Sequence, residues 1–296
     1  MMTLYSPSIS RHTPGPDRRY TGGMERRIRQ LQDVVWRYFA EYGRHDLPWR
    51  QPEATGSFDP YKVLVSEIML QQTQVTRVWP KYESFLQQFP DVLTLSEASL
   101  GDVLVTWQGL GYNRRAKFLW QAAGMVADKY GGRFPQTQEE LVRLPGVGAN
   151  TAGAVAAYAY DLPAVFIETN IRTVFIHHFF EDAKNVDDKQ IRELVAASLP
   201  SDGSTRHWYW ALMDYGTHLK QTVGNKSRAS RSYTRQPPFQ GSRRQMRGAV
   251  IRELGVRNMT YEQLEAKLDD PRLPEVLSAL EDEGMVRSGP EGWQLS

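Results

Sequence analysis

The stretch Leu144-Pro145-Gly146-Val147-Gly148-Ala149-Asn150-Thr151-Ala152 joins two segments of helical periodicity. Glycines in such a tight turn leave backbone N–H groups uncovered at the start of the second helix, where the helix dipole is positive and a phosphate oxygen can approach closely. An ordinary glycine-containing turn between helices is the alternative. The order Leu-Pro-Gly-Val-Gly, followed by a helix of small residues, favours a helical hairpin that clamps a DNA phosphate.

Helical periodicity continues on both sides of this turn. Apolar residues recur every three or four positions between 25 and 42, and period-two alternation is nearly absent up to Leu219. Pro, Gly or Asp punctuate the other helical segments, which we predict at 60–77, 79–88, 99–106, 113–130, 138–144, 149–159, 169–179, 187–198 and 206–219. The sequence therefore predicts an all-α body from Met24 to Leu219, after a polar tail at 1–23 that we expect to be disordered.

A second, smaller unit is predicted after this body. Residues 220–241 are polar and basic, contain Pro237-Pro238 and are interpreted as a linker. Helices at 242–254, 260–268 and 273–283 are followed by extended segments at 285–287 and 293–295 around a Gly289-Pro290 turn. Three helices and a hairpin in this order predict a small winged-helix-like domain over residues 242–296.

The composition of the 296 residues is that of a globular protein, with 41% hydrophobic residues and a length that suits two domains. Zero cysteines exclude disulfides, a cysteine nucleophile, cysteine-ligated zinc and a thiolate-held iron–sulfur cluster. The apolar stretches are too short to span a membrane, and the N-terminus lacks the apolar segment of a secretory signal. We expect a cytoplasmic protein with no membrane partner.

Charge is distributed unevenly although the net charge is only +2. Residues 220–257 carry ten Lys and Arg side chains against one Glu, with Tyr233 and Phe239 among them. Such a basic segment with aromatic residues is typical of a polyanion-binding surface, although a solvated linker would also explain it. Residues 258–296 have three basic and nine acidic side chains, so we do not expect the C-terminal unit itself to bind DNA phosphates.

Two carboxylates stand in segments that suit acid–base chemistry. Glu67 is the lone acid in the apolar helix 60–77, and burial there would raise its pKa so that it holds a proton near neutral pH. Glu168 precedes the helix 169–179, where first-turn N–H groups would keep a carboxylate ionised. An ion-paired Glu67 and a purely capping Glu168 are the alternatives. A neutral acid beside a charged one is the pair that cleavage of a glycosidic bond needs.

Five motifs, in order, resemble those of the helix-hairpin-helix (HhH-GPD) DNA glycosylase superfamily, and within it the MutY-type adenine glycosylases. They lie between about Leu47 and Leu219 and are LPWR at 47–50, SEIMLQQTQ at 66–74, GLGY at 109–112, LPGVG at 144–148 and ALMDYG at 211–216. The resemblance implies a two-lobed body, with a helical barrel lobe at about 60–167 and a second lobe from 24–59 and 168–219. It also implies a monomeric base excision repair enzyme that acts on double-stranded DNA and is associated with the nucleoid. Because the chain has no cysteine, we expect it to use no cofactor.

The resemblance assigns roles position by position. Glu67 matches the general acid that protonates the departing base, and Glu168 matches the family's catalytic Asp, which faces the sugar cation. Gln72 and Tyr112 match wedges in the base stack, and Leu110 and Thr73 match residues beside the opposite base. The full set expected to bind DNA is Gln71, Gln72, Thr73, Leu110, Tyr112, Gly146, Val147, Gly148, Thr151, Lys226, Arg228 and Arg231. The base pocket is expected to contain Leu47, Trp49, Arg50, Trp210 and Met213, and the hairpin could hold a monovalent cation.

Position 150 decides the reaction type in this comparison. Bifunctional relatives such as endonuclease III carry Lys there, which attacks the sugar and cuts the strand through an imine, whereas Asn150 cannot form an imine. We therefore predict a monofunctional glycosylase that uses water as the nucleophile and leaves an abasic site, with Asn150 among its catalytic residues. A strand-cleaving enzyme that uses another amine, such as Lys62 or Lys117, is the alternative.

The chain departs from the family in three respects. The four cluster cysteines are replaced, at approximately Lys220, Ser227, Ser230 and Gln236, so we expect no iron–sulfur cluster while the basic residues of that loop still meet phosphates. Glu168 is one methylene longer than the usual Asp. Residues 242–296 do not resemble the Nudix-like domain that reads 8-oxoguanine in typical adenine glycosylases.

These departures leave the excised base open. Adenine opposite 8-oxoguanine or guanine is the first prediction, and mismatched thymine or uracil, or a deaminated purine such as hypoxanthine, is the alternative on the same scaffold. A non-catalytic DNA-binding protein is the alternative from another class. The presence of both Glu67 and Glu168 argues against that last interpretation.

Overall fold

The computed structural model describes residues 22–181, 183–235 and 237–296. Those residues form fourteen α-helices and one two-stranded antiparallel sheet, so the fold is all-α as predicted. The helices are α1 (Gly22–Tyr42), α2 (Pro60–Leu70), α3 (Val75–Gln88), α4 (Val92–Glu97), α5 (Leu100–Thr106), α6 (Arg114–Tyr130), α7 (Gln138–Leu141), α8 (Ala149–Tyr160), α9 (Thr169–Phe179), α10 (Asp188–Ser198), α11 (Thr205–Thr222), α12 (Arg243–Leu254), α13 (Tyr261–Leu268) and α14 (Leu273–Asp282). The strands are β1 (Val286–Gly289) and β2 (Gly292–Leu295).

Two elements of the helical body differ from the sequence prediction. The segment 60–77 is helical only to Leu70, because the chain turns at Gln72, whose φ of 55° is left-handed, before α3 begins. The pattern did not reveal α4, a helix of only six residues that starts after an Asp91 cap. The predicted disordered tail at 1–23 lies outside the described residues apart from Gly22 and Gly23, which belong to α1.

The helices from α1 to α11 form two groups that meet at α8. In one group α2 packs against α3 and α8, and α6 packs against α4 and α5. In the other, α11 packs against α1 and α9, and α10 packs against the same two helices. Residues 152–159 of α8 are all buried, because a helix of mostly Ala and Gly can lie against neighbours on every side. The small side chains of α8 therefore let the two groups approach closely at the centre of the molecule.

The segment after α11 is attached to the body over its first half. α11 continues to Thr222, and a short 3₁₀ turn (Lys226–Ala229) follows. The Val186 N–H donates to the Ala229 carbonyl at 2.9 Å, and the Arg231 N–H donates to the Val186 carbonyl at 3.1 Å. The interpretation of residues 220–241 as a linker is therefore wrong for their first half, which forms part of the surface of the body.

The C-terminal unit has the helix and strand order predicted for a winged helix. α12 packs against α13 and α14, and β1 pairs with β2 in a register that sets Val286 opposite Leu295. α12 also packs against α5, which joins this unit to the body. Within the part of the chain that the structure describes, no helix is long and apolar enough to cross a membrane.

Candidate active site

A cavity of about 780 Å³ opens between the two groups of helices, beside α2 and α11. Its walls combine aromatic and apolar side chains with a few polar groups, which is typical of sites for small organic groups. The lining residues are Arg44, Leu47, Trp49, Arg50, Val63, Ser66, Glu67, Leu70, Thr73, Gln74, Val75, Thr76, Tyr158, Asn170, Trp210, Met213, Thr217, Lys220 and Gln221. This set includes Glu67 and every residue predicted for the base pocket.

Glu67 reaches the cavity from α2. The helix starts with Pro60 after an Asp59 cap, and most residues on either side of Glu67 are buried, so its side chain meets solvent only through the cavity. Burial, reinforced by the charge of Glu168 and opposed by Arg50, raises the pKa of Glu67 to about 8. Glu67 therefore holds its proton at neutral pH, as the sequence predicts.

Glu168 lies at the N-cap of α9, close to the cavity-lining residues Asn170 and Lys220. It does not line the cavity itself, and its carboxylate does not make the usual N-cap hydrogen bond to the second or third amide of the helix. Burial raises the pKa of Glu168 above its usual value, and Arg172, the Thr169 N–H of the first turn and Lys220 oppose that rise. The anionic form is thus supported by one helix amide, as the sequence predicts, and by two nearby cations.

The two acids therefore hold a proton unequally. Arg50 is the single described cation that lowers the pKa of Glu67, whereas Arg172 and Lys220 both act on Glu168. The anionic charge of Glu168 in turn raises the pKa of Glu67. The first proton bound by the pair goes to Glu67, which leaves Glu168 as the anion.

A buried ion cluster explains why Arg50 does not cancel the raised pKa of Glu67. Arg50, which is 7% exposed, donates two hydrogen bonds to the Asp214 carboxylate at 2.8 and 2.9 Å. Arg44 donates to the same carboxylate from its backbone N–H at 2.8 Å and from Nε at 2.7 Å. Burial favours the neutral form of Asp214, but these donors hold its pKa below the usual range. Because Asp214 neutralises the guanidinium, Arg50 can stay beside Glu67 without ionising it.

Close packing of α11 against the start of α9 fixes the backbone beside Glu168. A Cβ on Gly216 would lie 2.4 Å from the Asn170 carbonyl oxygen, so only glycine fits at this position. Gly216 closes the ALMDYG motif, and this contact gives the physical reason for its final residue.

Asn150, which the sequence groups with the catalytic residues, does not line the cavity. Its side-chain oxygen accepts hydrogen bonds from the Ile167 N–H and from Arg192, both at 3.3 Å. Asn150 thereby holds the backbone that leads into Glu168, and it can act on the chemistry only through that residue.

Two loops at residues 71–74 and 109–112, which we call the wedge loops, are tied together by a buried arginine. Gln72 and Tyr112 lie one in each loop and have left-handed φ angles of 55° and 50°. Such strain persists only where surrounding contacts impose it. Arg115 supplies those contacts, donating at 2.7 to 3.1 Å to the carbonyls of Ile68, Met69, Gln71, Leu110 and Gly111 and to the Thr73 hydroxyl.

Four of the residues expected to bind DNA have their side chains engaged within the protein. The side chains of Leu110 and Val147 are 3% and 4% exposed and pack in the core, so they do not reach the surface. Gln71 donates to the Thr151 hydroxyl at 3.3 Å, which links the first wedge loop to the start of α8. The side chains of these residues therefore stabilise the wedge loop and the hairpin from within the protein, and they contribute little to the predicted DNA-binding surface.

The hairpin between α7 and α8 contains its two glycines for different reasons. Gly146 has a φ of 74°, and a Cβ there would lie 2.5 Å from the Phe118 Cβ, so both backbone and packing require glycine. Gly148 is the N-cap of α8, and a Cβ there would have nothing within 4 Å. No side chain caps the first amides of α8 within the described residues. The open approach to Gly148 therefore suits an anion from outside the protein, as the motif predicts.

The basic residues after α11 differ in their partners. Arg228 is exposed, Lys226 is half-buried, and Arg231 forms an exposed ion pair with Asp187 at 3.4 Å. Asp188 anchors this segment by accepting from the Ser230 hydroxyl at 3.1 Å. Lys226 and Arg228 therefore have no ion pair among the described residues, so both can bind a polyanion.

The residues at the positions of a cluster loop do not fit an iron–sulfur cluster. Lys220, Ser227 and Ser230 offer no thiolate, and Gln236 lies outside the described residues. In the described ranges no group of three or more His, Cys, Asp and Glu side chains could hold a metal ion. We assign no step of the chemistry to a metal.

Sequence reasoning missed several residues that shape the site. Asp214 lies inside the ALMDYG motif and Asn170 is two residues from Glu168, so the sequence carried a signal for both. Tyr158, whose ring stacks on Trp210 with centroids 6.1 Å apart, and Arg115 carried no such signal, because a buried tyrosine and a lone arginine occur in many helices. Their roles depend on contacts with distant parts of the chain.

Comparison with known proteins agrees with this architecture. Residues 65–200 match the family described as HhH-GPD superfamily base excision DNA repair protein. The adenine DNA glycosylase of Buchnera aphidicola subsp. Baizongia pistaciae is 35% identical over 186 residues, which are 62% of this chain and 51% of that protein. The adenine DNA glycosylase of Mycolicibacterium smegmatis is 37% identical over 176 residues, which are 60% of this chain and 59% of that protein. The chain therefore spans about half to three fifths of the length of these curated relatives.

A solved structure of a thermostable thymine-DNA glycosylase has the same fold. Its TM-score is 0.61 at 24% identity, and the match covers 69% of this chain and 92% of that one. The matched residues 65–200 include Glu67, both wedge loops, the hairpin and Glu168. This segment of the chain is thus similar to HhH-GPD superfamily base excision DNA repair proteins, and the chain contains no cysteine.

Proposed function

We propose that the protein is a monofunctional DNA glycosylase that removes adenine opposite 8-oxoguanine or guanine from duplex DNA. The main support for glycosidic bond cleavage is a protonated Glu67 that lines a nucleoside-sized cavity and interacts electrostatically with an anionic Glu168. The choice of adenine rests on the relatives, which are named adenine DNA glycosylase.

The two acids divide the reaction between them. Glu67 donates its proton to a ring nitrogen of the extruded base, and the bond between the base and C1′ breaks with its electron pair leaving on the base. The resulting sugar cation faces the Glu168 carboxylate. At a separation of about 4 Å and an effective dielectric constant near 20, that attraction is worth about 4 kcal/mol, or roughly a thousandfold in rate. Water then adds to C1′ and gives up a proton, which restores Glu67.

The cavity walls suit an extruded base. Trp49, Tyr158 and Trp210 offer aromatic faces, and the volume of about 780 Å³ is enough for one nucleoside. The first wedge loop lies beside the cavity, which Thr73 and Gln74 line, and Arg115 ties the second wedge loop to the first. In this proposal Gln72 and Tyr112 fill the gap that the extruded nucleotide leaves. Filling that gap offsets part of the few kcal/mol that extrusion costs.

The absence of strand cleavage in this proposal depends on which amines reach the sugar. Lys62 is ion-paired with Glu53 at 2.8 Å, and Lys117 donates to the Glu283 carbonyl. Neither lines the cavity, whereas Lys220 does. Lys220 is therefore the amine that a search for a covalent intermediate has to examine.

A panel of duplexes that differ only in the central pair tests the proposal. With enzyme in excess, alkali-labile sites should form at adenine opposite 8-oxoguanine and opposite guanine. They should not form at matched pairs, thymine or uracil opposite guanine, or hypoxanthine opposite thymine. Glu67→Gln should bind the same duplexes without releasing base, whereas the control Glu97→Gln, at an exposed site, should behave as wild type. Release of a pyrimidine or of hypoxanthine in preference to adenine would overturn the substrate assignment, and unchanged activity of Glu67→Gln would overturn the assigned acid.

Borohydride trapping tests the monofunctional part separately. No covalent adduct should form during base release, because no lysine stands at position 150. An adduct that is lost in Lys220→Met would show that the protein also cleaves the strand through that amine.

A further inference from the structure

The C-terminal domain touches the wedge loop 109–112 directly. Arg244, in the first turn of α12, donates from Nη1 to the Tyr112 hydroxyl. Its guanidinium also lies 4.8 Å from the centroid of the Tyr112 ring, and the Arg115 guanidinium lies 5.6 Å from the same centroid. The wedge residue is thus held by one arginine of the body and one arginine of the C-terminal domain.

Contacts elsewhere keep the two units in this arrangement. Glu283 accepts from Arg114 of α6 at 2.6 Å and from Arg247 of α12 at 2.6 Å. A Cβ on Gly255 would lie 2.8 Å from the side-chain nitrogen of Gln108, so the end of α12 lies directly against the residues that precede the wedge loop. The C-terminal domain is therefore docked on α5 and α6, which flank that loop.

Arg244 is poorly satisfied by the protein alone. Its Nη2 donates to the Pro237 carbonyl at 3.2 Å, but its Nε is buried without a hydrogen-bond partner among the described residues. An unpaired buried donor lowers the free energy of unfolding. The position of Arg244 beside Tyr112 is therefore not one that stability alone would favour. Phe239 lies beside it, with its ring centroid 5.4 Å from the guanidinium and 56% of its surface exposed. A cation between an exposed and a strained aromatic residue is a surface that suits stacked bases and phosphates.

We propose that the C-terminal domain is part of the surface that recognises the mismatched duplex, with Arg244 as the positioning residue that holds Tyr112 in its left-handed conformation for entry into the base stack. The partner of this joint surface, formed by Tyr112, Arg244 and Phe239, is the duplex next to the extruded nucleotide. The acidic balance of residues 258–296 does not oppose this assignment, because the contact is made by the basic first turn of α12. The inference rests on the proposed function, since it assumes that the cavity receives a nucleotide extruded from DNA.

Arg243 provides a matched control. It is the neighbour of Arg244 in the same helical turn, carries the same charge and is half exposed, but its partner is Glu275 at 2.9 Å and it does not contact Tyr112. Removing Arg243 therefore reports the loss of one positive charge near DNA, whereas removing Arg244 reports that loss together with the loss of support for the wedge.

Binding of the full chain to two labelled duplexes tests the inference. One duplex carries a tetrahydrofuran abasic analogue opposite 8-oxoguanine, and the other is fully paired. Arg244→Ala should reduce the preference for the first duplex about tenfold, whereas Arg243→Ala should weaken binding to both duplexes alike and leave the preference within about twofold. Arg244→Lys should restore less than half of the lost preference on a logarithmic scale, because an ammonium cannot lie flat on the ring as a guanidinium does.

Tyr112→Phe, which removes only the hydroxyl group, keeps the test independent of any loss of folding in Arg244→Ala. It should lower the preference by about threefold, and the double variant with Arg244→Ala should be no worse than Arg244→Ala alone. The enzyme concentration for half-maximal single-turnover base release should also rise in Arg244→Ala and in Tyr112→Phe.

The outcomes separate the two proposals. If wild type prefers the analogue duplex and Arg244→Ala keeps that preference as Arg243→Ala does, the role of Arg244 is refuted and the proposed function stands. If wild type binds both duplexes equally, the proposed function is refuted and this inference fails with it. An additive double variant would also overturn the inference, because it would show that Arg244 acts on something other than Tyr112.

Discussion

Replacing Glu67 with Gln should stabilise the fold at neutral and alkaline pH while it abolishes base release. A raised pKa means that the folded protein binds this proton more tightly than the unfolded chain does. The stability that comes from the protonated group is complete below about pH 4.5 and is lost as the pH rises toward 8. Gln is neutral at every pH, so the variant keeps what the wild type loses.

The size of the effect follows from the pKa shift of Glu67. A change from 4.5 to about 8 corresponds to between 4 and 5 kcal/mol at about 1.4 kcal/mol per pKa unit. The interval from pH 5.5 to 7.5 lies inside that range, because the unfolded carboxyl is ionised there and the folded one is mostly protonated. Two pH units at about 1.4 kcal/mol per unit give between about 2 and 3 kcal/mol, and screening through the cavity mouth leaves about 2 kcal/mol.

Urea unfolding at pH 5.5 and 7.5 measures this difference directly. The free energy of unfolding of Glu67→Gln relative to wild type should rise by about 2 kcal/mol from the lower to the higher pH. Glu97→Gln, at an exposed position, should show a constant difference from wild type. Parallel pH dependences for wild type and Glu67→Gln would refute a protonated Glu67, and with it the general acid of the proposed mechanism.

Four further substitutions test other parts of the site. Gly148→Ala should weaken DNA binding about tenfold at unchanged stability, whereas Gly146→Ala should cost about 2 kcal/mol or more of stability, because only the second introduces a clash and a strained φ. DNA titrations and urea unfolding distinguish the two, and equal effects would contradict the open approach at Gly148. Arg115→Met should lower the free energy of unfolding by about 3 kcal/mol, since it leaves several carbonyls unpaired, and an unchanged urea midpoint would contradict this. Lys220→Met should move the acid limb of the kcat pH profile to higher pH, because Lys220 lowers the pKa of Glu168, and an unmoved limb would exclude that influence.

The hairpin and the general position of Glu67 could be predicted because their signals are local. A left-handed Gly146 and an uncapped helix start at Gly148 follow from a few consecutive residues. The burial of Glu67 follows from its apolar neighbours along one helix. In both cases the physical cause lies within about two helical turns of the residue concerned, so no distant contact could reverse it.

The environment of Glu168 could not be predicted in the same way. The sequence pattern indicated helix amides alone as the source of its charge, whereas the structure adds burial, which raises the pKa, and the cations Arg172 and Lys220, which lower it together with the Thr169 N–H. Helical periodicity reports which face of a segment is buried, but it does not report which charges from other segments approach that face. Asn150 illustrates the same limit, because its motif gave the position of the residue and not the direction of its hydrogen bonds.

Local sequence patterns are enough to show that the chain is helical, that a glycine hairpin precedes a helix of small residues, and that two acids stand in segments suited to glycosidic chemistry. Long-range packing is what brings Arg44 to Asp214, 170 positions away, where it neutralises the carboxylate together with Arg50, and what brings Arg244 to Tyr112 across 132 positions. The reason is physical. Backbone conformation and amphipathic pattern depend on near neighbours in the chain, whereas the pKa of a buried acid and the support of a strained loop depend on whichever charges and donors packing brings within a few ångströms.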